Sequence, residues 1–153
     1  MKIHLRAGFS VLELLVVIAV IGVMGAAAVY ALNVSRAKAR DAVRVSDISV
    51  LRSGLSQYWL QKAAYPVSSG VELGKADQHA DGLTTNGFVG QDGGGTVILP
   101  AVPLGPRPQE FYRYKGTVTG YSIRFITERD TVFGKAGTYY AHAGTVDGED
   151  LEK

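Results

Sequence analysis

The chain has no cysteine, so no disulfide staples it and no thiol chemistry is available to it. Proline is missing from the first 65 residues and appears only at Pro66, Pro100, Pro103, Pro106 and Pro108. Glycine is nearly as uneven, with fifteen of the nineteen lying beyond Tyr65. The first sixty-odd residues therefore read as helix, and the rest as short strands joined by turns. Charge of one sign is also scarce. The net charge is +2, and without Lys2 and Arg6 the basic and acidic side chains number fourteen each, too even a balance to imply a nucleic-acid partner.

What stands out against these absences is Ala7 to Leu32, AGFSVLELLVVIAVIGVMGAAAVYAL. From Leu14 to Leu32 it runs nineteen residues without a charge, long enough as a helix to cross a hydrocarbon core of roughly 30 Å. One acid, Glu13, stands at its start. A carboxylate at the centre of a membrane helix costs about 2.5–3.5 kcal/mol, so an acid in such a stretch points to a use. The basic leader MKIHLRAG precedes the stretch, and no A-x-A site follows Leu32. The hydrophobic stretch therefore reads as retained, unlike the core of an ordinary secretory signal. Hydropathy by itself gives an uncleaved single-pass anchor.

Gly8-Phe9-Ser10-Val11-Leu12-Glu13, followed by LLVVIAVIGVM and then RAKARDAVRVSD, resembles the prepilin motif of type IV pilins and pseudopilins over about the first fifty residues. The resemblance implies that a membrane peptidase and methyltransferase cuts between Gly8 and Phe9 on the cytoplasmic side and methylates the new amine of Phe9. It implies further partners in other pilin subunits and the pilus assembly machinery. Location would change from the cytoplasmic membrane before assembly to a cell-surface or periplasm-spanning filament afterwards. The physical logic can be stated on its own. Cleavage leaves a cationic amine at the end of an apolar helix, and Glu13 lies about 6 Å further along the axis. In a staggered bundle, Glu13 of one subunit meets the Phe9 amine of the next, and the pair fixes one axial register. Gly22, Gly25 and Ala26–Ala28 would let neighbouring helices approach closely. Tyr30 stands where many pilins carry a proline, so a straight helix is expected, with Gly22 and Gly25 as its weakest points.

Beyond the span, Arg36, Lys38, Arg40 and Arg44 are opposed only by Asp41. That count runs against the positive-inside rule. These bases are expected on the exposed face of a continuing helix, pairing with neighbouring subunits or lipid headgroups. Without interleaved aromatics they make a poor nucleic-acid stripe. Val34, Ala37, Val45, Ile48, Leu51, Leu55, Tyr58 and Trp59 keep three- and four-residue spacing, one stripe of an amphipathic helix ending before Tyr65-Pro66. Gly54 weakens that helix by up to about 1 kcal/mol relative to alanine.

The head is expected to be a three- or four-stranded antiparallel sheet lying on the stripe. Val67 to Glu110 reads as a long connection whose best buried piece is Thr96–Pro100. Strands are expected at Phe111–Lys115, Tyr121–Thr127 and Thr138–Ala141. Along Tyr121–Thr127, alternation places Tyr121, Ile123 and Phe125 inside and Ser122 and Arg124 in water. The fold class is thus α+β, divided into a leader 1–8, a membrane or filament-core helix 9–34, an amphipathic continuation 35–63 and a β-rich head 64–153. The C-terminal disulfide loop of many pilins has no counterpart here.

No set of acid, base and nucleophile argues for an enzyme, and no cofactor is expected. Gly90 to Gly95 has Thr96 where a phosphate loop requires lysine. His4, His79 and His142 lack ligand spacing. Asp147, Glu149 and Asp150 are weak calcium candidates without EF-hand spacing. The strand tyrosines read as sheet packing. Two functions follow: a structural subunit of a type IV pilus-like filament, or a single-pass anchored module that binds a ligand and never polymerises.

Overall fold

The computed structural model describes residues 9–90 and 93–153. The expectations resting on Gly8, on His4 and on the middle of Gly90–Gly95 lie outside the described residues. One helix, α1, runs Val11–Lys62, and the chain divides into two compact units, one ending at Arg36 and the other Ala37–Lys153. In the first unit Ser10 caps the helix. Its hydroxyl accepts the Leu12 N–H at 3.3 Å and its carbonyl accepts the Leu14 N–H at 3.2 Å. Glu13 sits in the first turn, where the helix dipole favours a negative charge. Helix geometry continues unbroken through Gly22, Gly25 and Tyr30. Every residue from Phe9 to Asn33 is exposed, and α1 is long and apolar enough to cross a membrane.

In the second unit α1 becomes one-sided. Ala37, Asp41, Arg44, Ile48, Leu51, Leu55 and Tyr58 are its buried positions, along with Gly54. All keep the three- and four-residue spacing that puts them on one face. Ile48, Leu51 and Leu55 are at most 1% exposed, each side chain contributing about 1.5–3 kcal/mol by leaving water. The expected stripe therefore holds below Ile48. Above it the stripe keeps Ala37 and is otherwise carried by Asp41 and Arg44, with Val34 and Val45 only half-buried; lower down, Trp59 is the one expected member that is exposed. The helix ends at Lys62, and Ala63 turns left-handed at φ 52° with its N–H on the Trp59 carbonyl at 2.7 Å. The stop thus comes just ahead of Tyr65-Pro66, through the reversed backbone of Ala63.

The helix packs on a five-stranded antiparallel sheet of β1 (Ser68–Glu72), β5 (Arg113–Gly116), β6 (Tyr121–Thr127), β7 (Gly137–Ala141) and β8 (Val146–Asp147), in that spatial order. A second antiparallel sheet of three strands places β2 (Gly82–Thr84) between β3 (Gly87–Val89) and β4 (Val97–Leu99). The core joins Ile48, Leu51, Leu55 and Tyr58 to Tyr112, Tyr114, Tyr121, Ile123, Phe125 and Ala141, with Leu73 and Leu83 beside them. Tyr114, wholly buried, satisfies its hydroxyl on the Pro66 carbonyl at 2.7 Å.

Several expectations about the head are corrected. There are two sheets, and Val67 to Glu110 is no mere connection: it holds β1 to β4. Thr96–Pro100 does contain β4, but Val97 is 59% exposed, so this is not the best buried piece. β5 begins at Arg113, leaving Phe111 and Tyr112 ahead of it. Ser122 is 1% exposed although it sits on the face away from the core, because Asp150 of the C-terminal segment covers it and accepts its hydroxyl at 3.1 Å.

Candidate assembly site

Phe9 and Glu13 stand at the start of α1, both exposed, Phe9 at 75%. Ser10 supplies the cap, and the helix begins at Val11. A methyl group added at Gly22 or Gly25 would meet nothing within 4 Å. Both glycines therefore present open backbone that another helix could approach closely. The arrangement is a bare apolar rod with one carboxylate at its tip.

A second charged constellation lies at the top of the buried stripe, and here the structure overturns an expectation. Arg40 and Arg44 do not lie free on an exposed face for other subunits or lipids. Arg44 is 2% exposed, and its guanidinium donates to Glu110 at 2.6 and 2.8 Å, to Asp41 at 2.7 Å and to Glu128 at 2.8 Å. Arg40 meets Glu128 in a two-pronged pair at 2.8 and 2.6 Å, and Arg107 joins the same carboxylate. Asp41 turns its other lone pairs to the backbone N–H groups of Glu128 and Arg129, at 2.8 to 3.1 Å. The network thus locks one turn of α1 to the segment that follows β6. Hydrogen bonds from Arg40, then Arg44, hold the Glu128 carboxyl down at about 2, against burial. The bond to Glu110 raises Arg44 further. Arg36 and Lys38 remain exposed.

At the C-terminal end the three calcium candidates do not converge. Asp147 accepts the Glu149 N–H at 2.9 Å and Lys153 Nζ at 3.2 Å, and faces His142 Nε2 at 3.1 Å. Glu149 binds the same lysine at 2.5 Å. Asp150 is taken by Lys115 and Ser122. Their oxygens are already neutralised by protein cations and donors, and among the described residues no group of three acidic or histidine ligands could hold a metal. Together with the β8 pairing, these contacts pin the last segment without any disulfide. His142 itself is wholly buried, its Nδ1 on the Tyr121 carbonyl at 3.0 Å. Sequence spacing gave no hint of that role, since both partners come from other strands.

No family model matches this chain, and no curated protein or solved structure matches it either.

Proposed function

We propose that this chain is a structural subunit of a type IV pilus-like filament, a pilin or pseudopilin cut between Gly8 and Phe9. The observation that carries the reading is Gly8-Phe9-Ser10-Val11-Leu12-Glu13 standing directly ahead of nineteen uncharged residues. The capping geometry supports it: a cut after Gly8 leaves Ser10 and the whole of α1 in place. So does the exposed apolar surface from Val11 to Leu32, which water would not tolerate and which lipid or sister helices would cover. The subunit waits in the cytoplasmic membrane with Phe9 on the inner side, and then passes into a helical polymer. There the Phe9 amine of one copy neutralises Glu13 of its neighbour. An unpaired buried carboxylate is costly, so the ion pair selects one stagger over the alternatives. Repeated head to tail without closing, that one contact builds a helical filament.

Mass spectrometry of the N-terminus, on chain recovered from cells that carry a prepilin peptidase, tests the reading. A terminus at N-methylated Phe9 is expected, and an intact Met1 or a cut beyond Leu32 rejects it. Glu13→Gln keeps the side chain's shape and removes its charge. Cleavage should then be normal, while sheared filaments fall at least tenfold. A variant that assembles as well as the parent removes the pairing.

A further inference from the structure

The face of the five-stranded sheet turned away from α1 carries an unresolved repulsion. Arg113 of β5 stands directly opposite Arg124 of β6, and Arg124 stands opposite Tyr140 of β7. Like charges facing each other across an antiparallel pair destabilise it. Among the described residues neither guanidinium has an ion-pair partner or donates a side-chain hydrogen bond, although Arg40, Arg44, Lys75, Arg107, Lys115 and Lys153 are all paired. Nearby acids are committed elsewhere. Glu72, opposite Arg113 in β1, holds Lys75 at 2.6 Å. Asp147, opposite Tyr140, holds Lys153 and faces His142, while Asp150 is bonded to Lys115 and shares its charge with Arg113 only through space. Glu110 and Glu128 belong to the Arg44 network. The two guanidiniums are therefore left with a local positive excess.

They also line a concavity. Arg113, Lys115, Arg124, Thr138 and Tyr140 form its floor and sides, the C-terminal segment at Gly148 and Asp150 closes it, and its volume is about 390 Å³. Among the lining side chains three are cations and one is a carboxylate. Arg113 lies close over Gly70: that residue has φ 137°, and a Cβ there would lie 2.9 Å from both Nε and Nη2 of the guanidinium. A planar fork lying against backbone, with a second fork across the strand, suits an anion that accepts several N–H bonds. The hydroxyls of Tyr140 and Thr138 add donors beside them.

We propose that this cleft binds a phosphate-type oxyanion, held by Arg113 and Arg124 with Lys115 and Tyr140 at its margin. The anion supplies the counter-charge that the Arg113–Arg124 pair lacks. The inference does not depend on the filament reading, since every residue it uses lies in the sheet and the C-terminal segment.

The test uses the full chain in non-ionic detergent and Tris-chloride buffer, with ionic strength held constant. Inorganic phosphate is titrated and followed by calorimetry, alongside Arg113→Gln, Arg124→Gln and, as a control on an exposed base elsewhere, Lys38→Gln. Saturable binding is expected for the parent and for Lys38→Gln, weakened at least tenfold in either sheet variant. Thermal unfolding gives a second reading: without phosphate Arg124→Gln melts no lower than the parent, and phosphate raises the midpoints of the parent and Lys38→Gln but not those of the two sheet variants. A short single-stranded oligonucleotide forms the second arm. Arginine-dependent saturation by phosphate assigns the site to a free ion, whereas saturation only by the oligonucleotide assigns it to phosphate carried on a polymer. No saturation in either arm, or saturation that survives both arginine substitutions, overturns the proposal.

Discussion

Arg44 occupies a position where the helical period asks for an apolar residue. Its side chain is 3% exposed, and its three carboxylate partners come from the adjacent turn and from residues 66 and 84 positions away in the chain. Removing one member of a buried charge cluster strands the others, at a cost of about 3–5 kcal/mol. Arg44→Met should therefore lower the unfolding free energy by about that amount, leaving Asp41 without its nearest cation. Arg40→Met removes a guanidinium that is 30% exposed, and should cost about 1 kcal/mol or less. Urea unfolding of both variants in non-ionic detergent makes the comparison, and equal losses would show that burial does not set the worth of these pairs. None of this was legible in the sequence. Arg44 reads as one of a run of bases on an exposed face, and of its three acids only Asp41 is near it in the chain; Glu110 and Glu128 are brought to it by the tertiary fold.

Among the elements, those built from regular periods were readable. β6 runs from Tyr121 to Thr127 as its alternation indicates, and α1 follows its apolar and then one-sided pattern from Val11 to Lys62. β2, β3 and β4, of three residues each, are too short to show a period, and partners distant in the chain decide their pairing. Their seat on the helix turns on Gly54. Read alone, this glycine only weakens α1. In the fold it is buried, and a Cβ there would lie 2.5 Å from Leu99 Cδ1 and 3.4 Å from Leu83 Cδ2. The missing side chain is the space that β2 and β4 occupy. Alanine would gain about 1 kcal/mol of helix propensity and displace the movable tip of Leu99. Valine gains little propensity and intrudes on both leucines, so Gly54→Val should destabilise the head by about 1–3 kcal/mol. Calorimetric unfolding measures it; an unchanged midpoint would mean that the three-stranded sheet can slide off α1 without loss.

At the scale of the whole molecule, Phe9 to Asn33 offers surface and the second unit offers charge locked in place. Stability should follow those charges with pH. Glu128 is held at about 2 against an ordinary 4.5, chiefly by Arg40. Asp147 is held at about 2 against 3.8, chiefly by the Glu149 N–H, and Asp150 is lowered by Lys115. For a carboxylate whose folded pKa lies below its unfolded one, the stabilisation is complete above the unfolded value. It is lost as pH falls through the folded value. Asp47 works the other way, since burial raises its pKa and its protonation in acid favours the fold. Three lowered carboxylates, Glu128 and Asp147 strongly so, act against one raised group. The unfolding midpoint should therefore stay flat from neutrality to about pH 4.5 and fall steeply toward pH 2. Glu128→Gln separates the ion pairs from general acid repulsion. That variant starts lower at pH 7 and should lose less between pH 4.5 and 2, because the group that titrates is gone. If parent and variant fall in parallel, the network around Arg44 and Arg40 is not what acid dismantles.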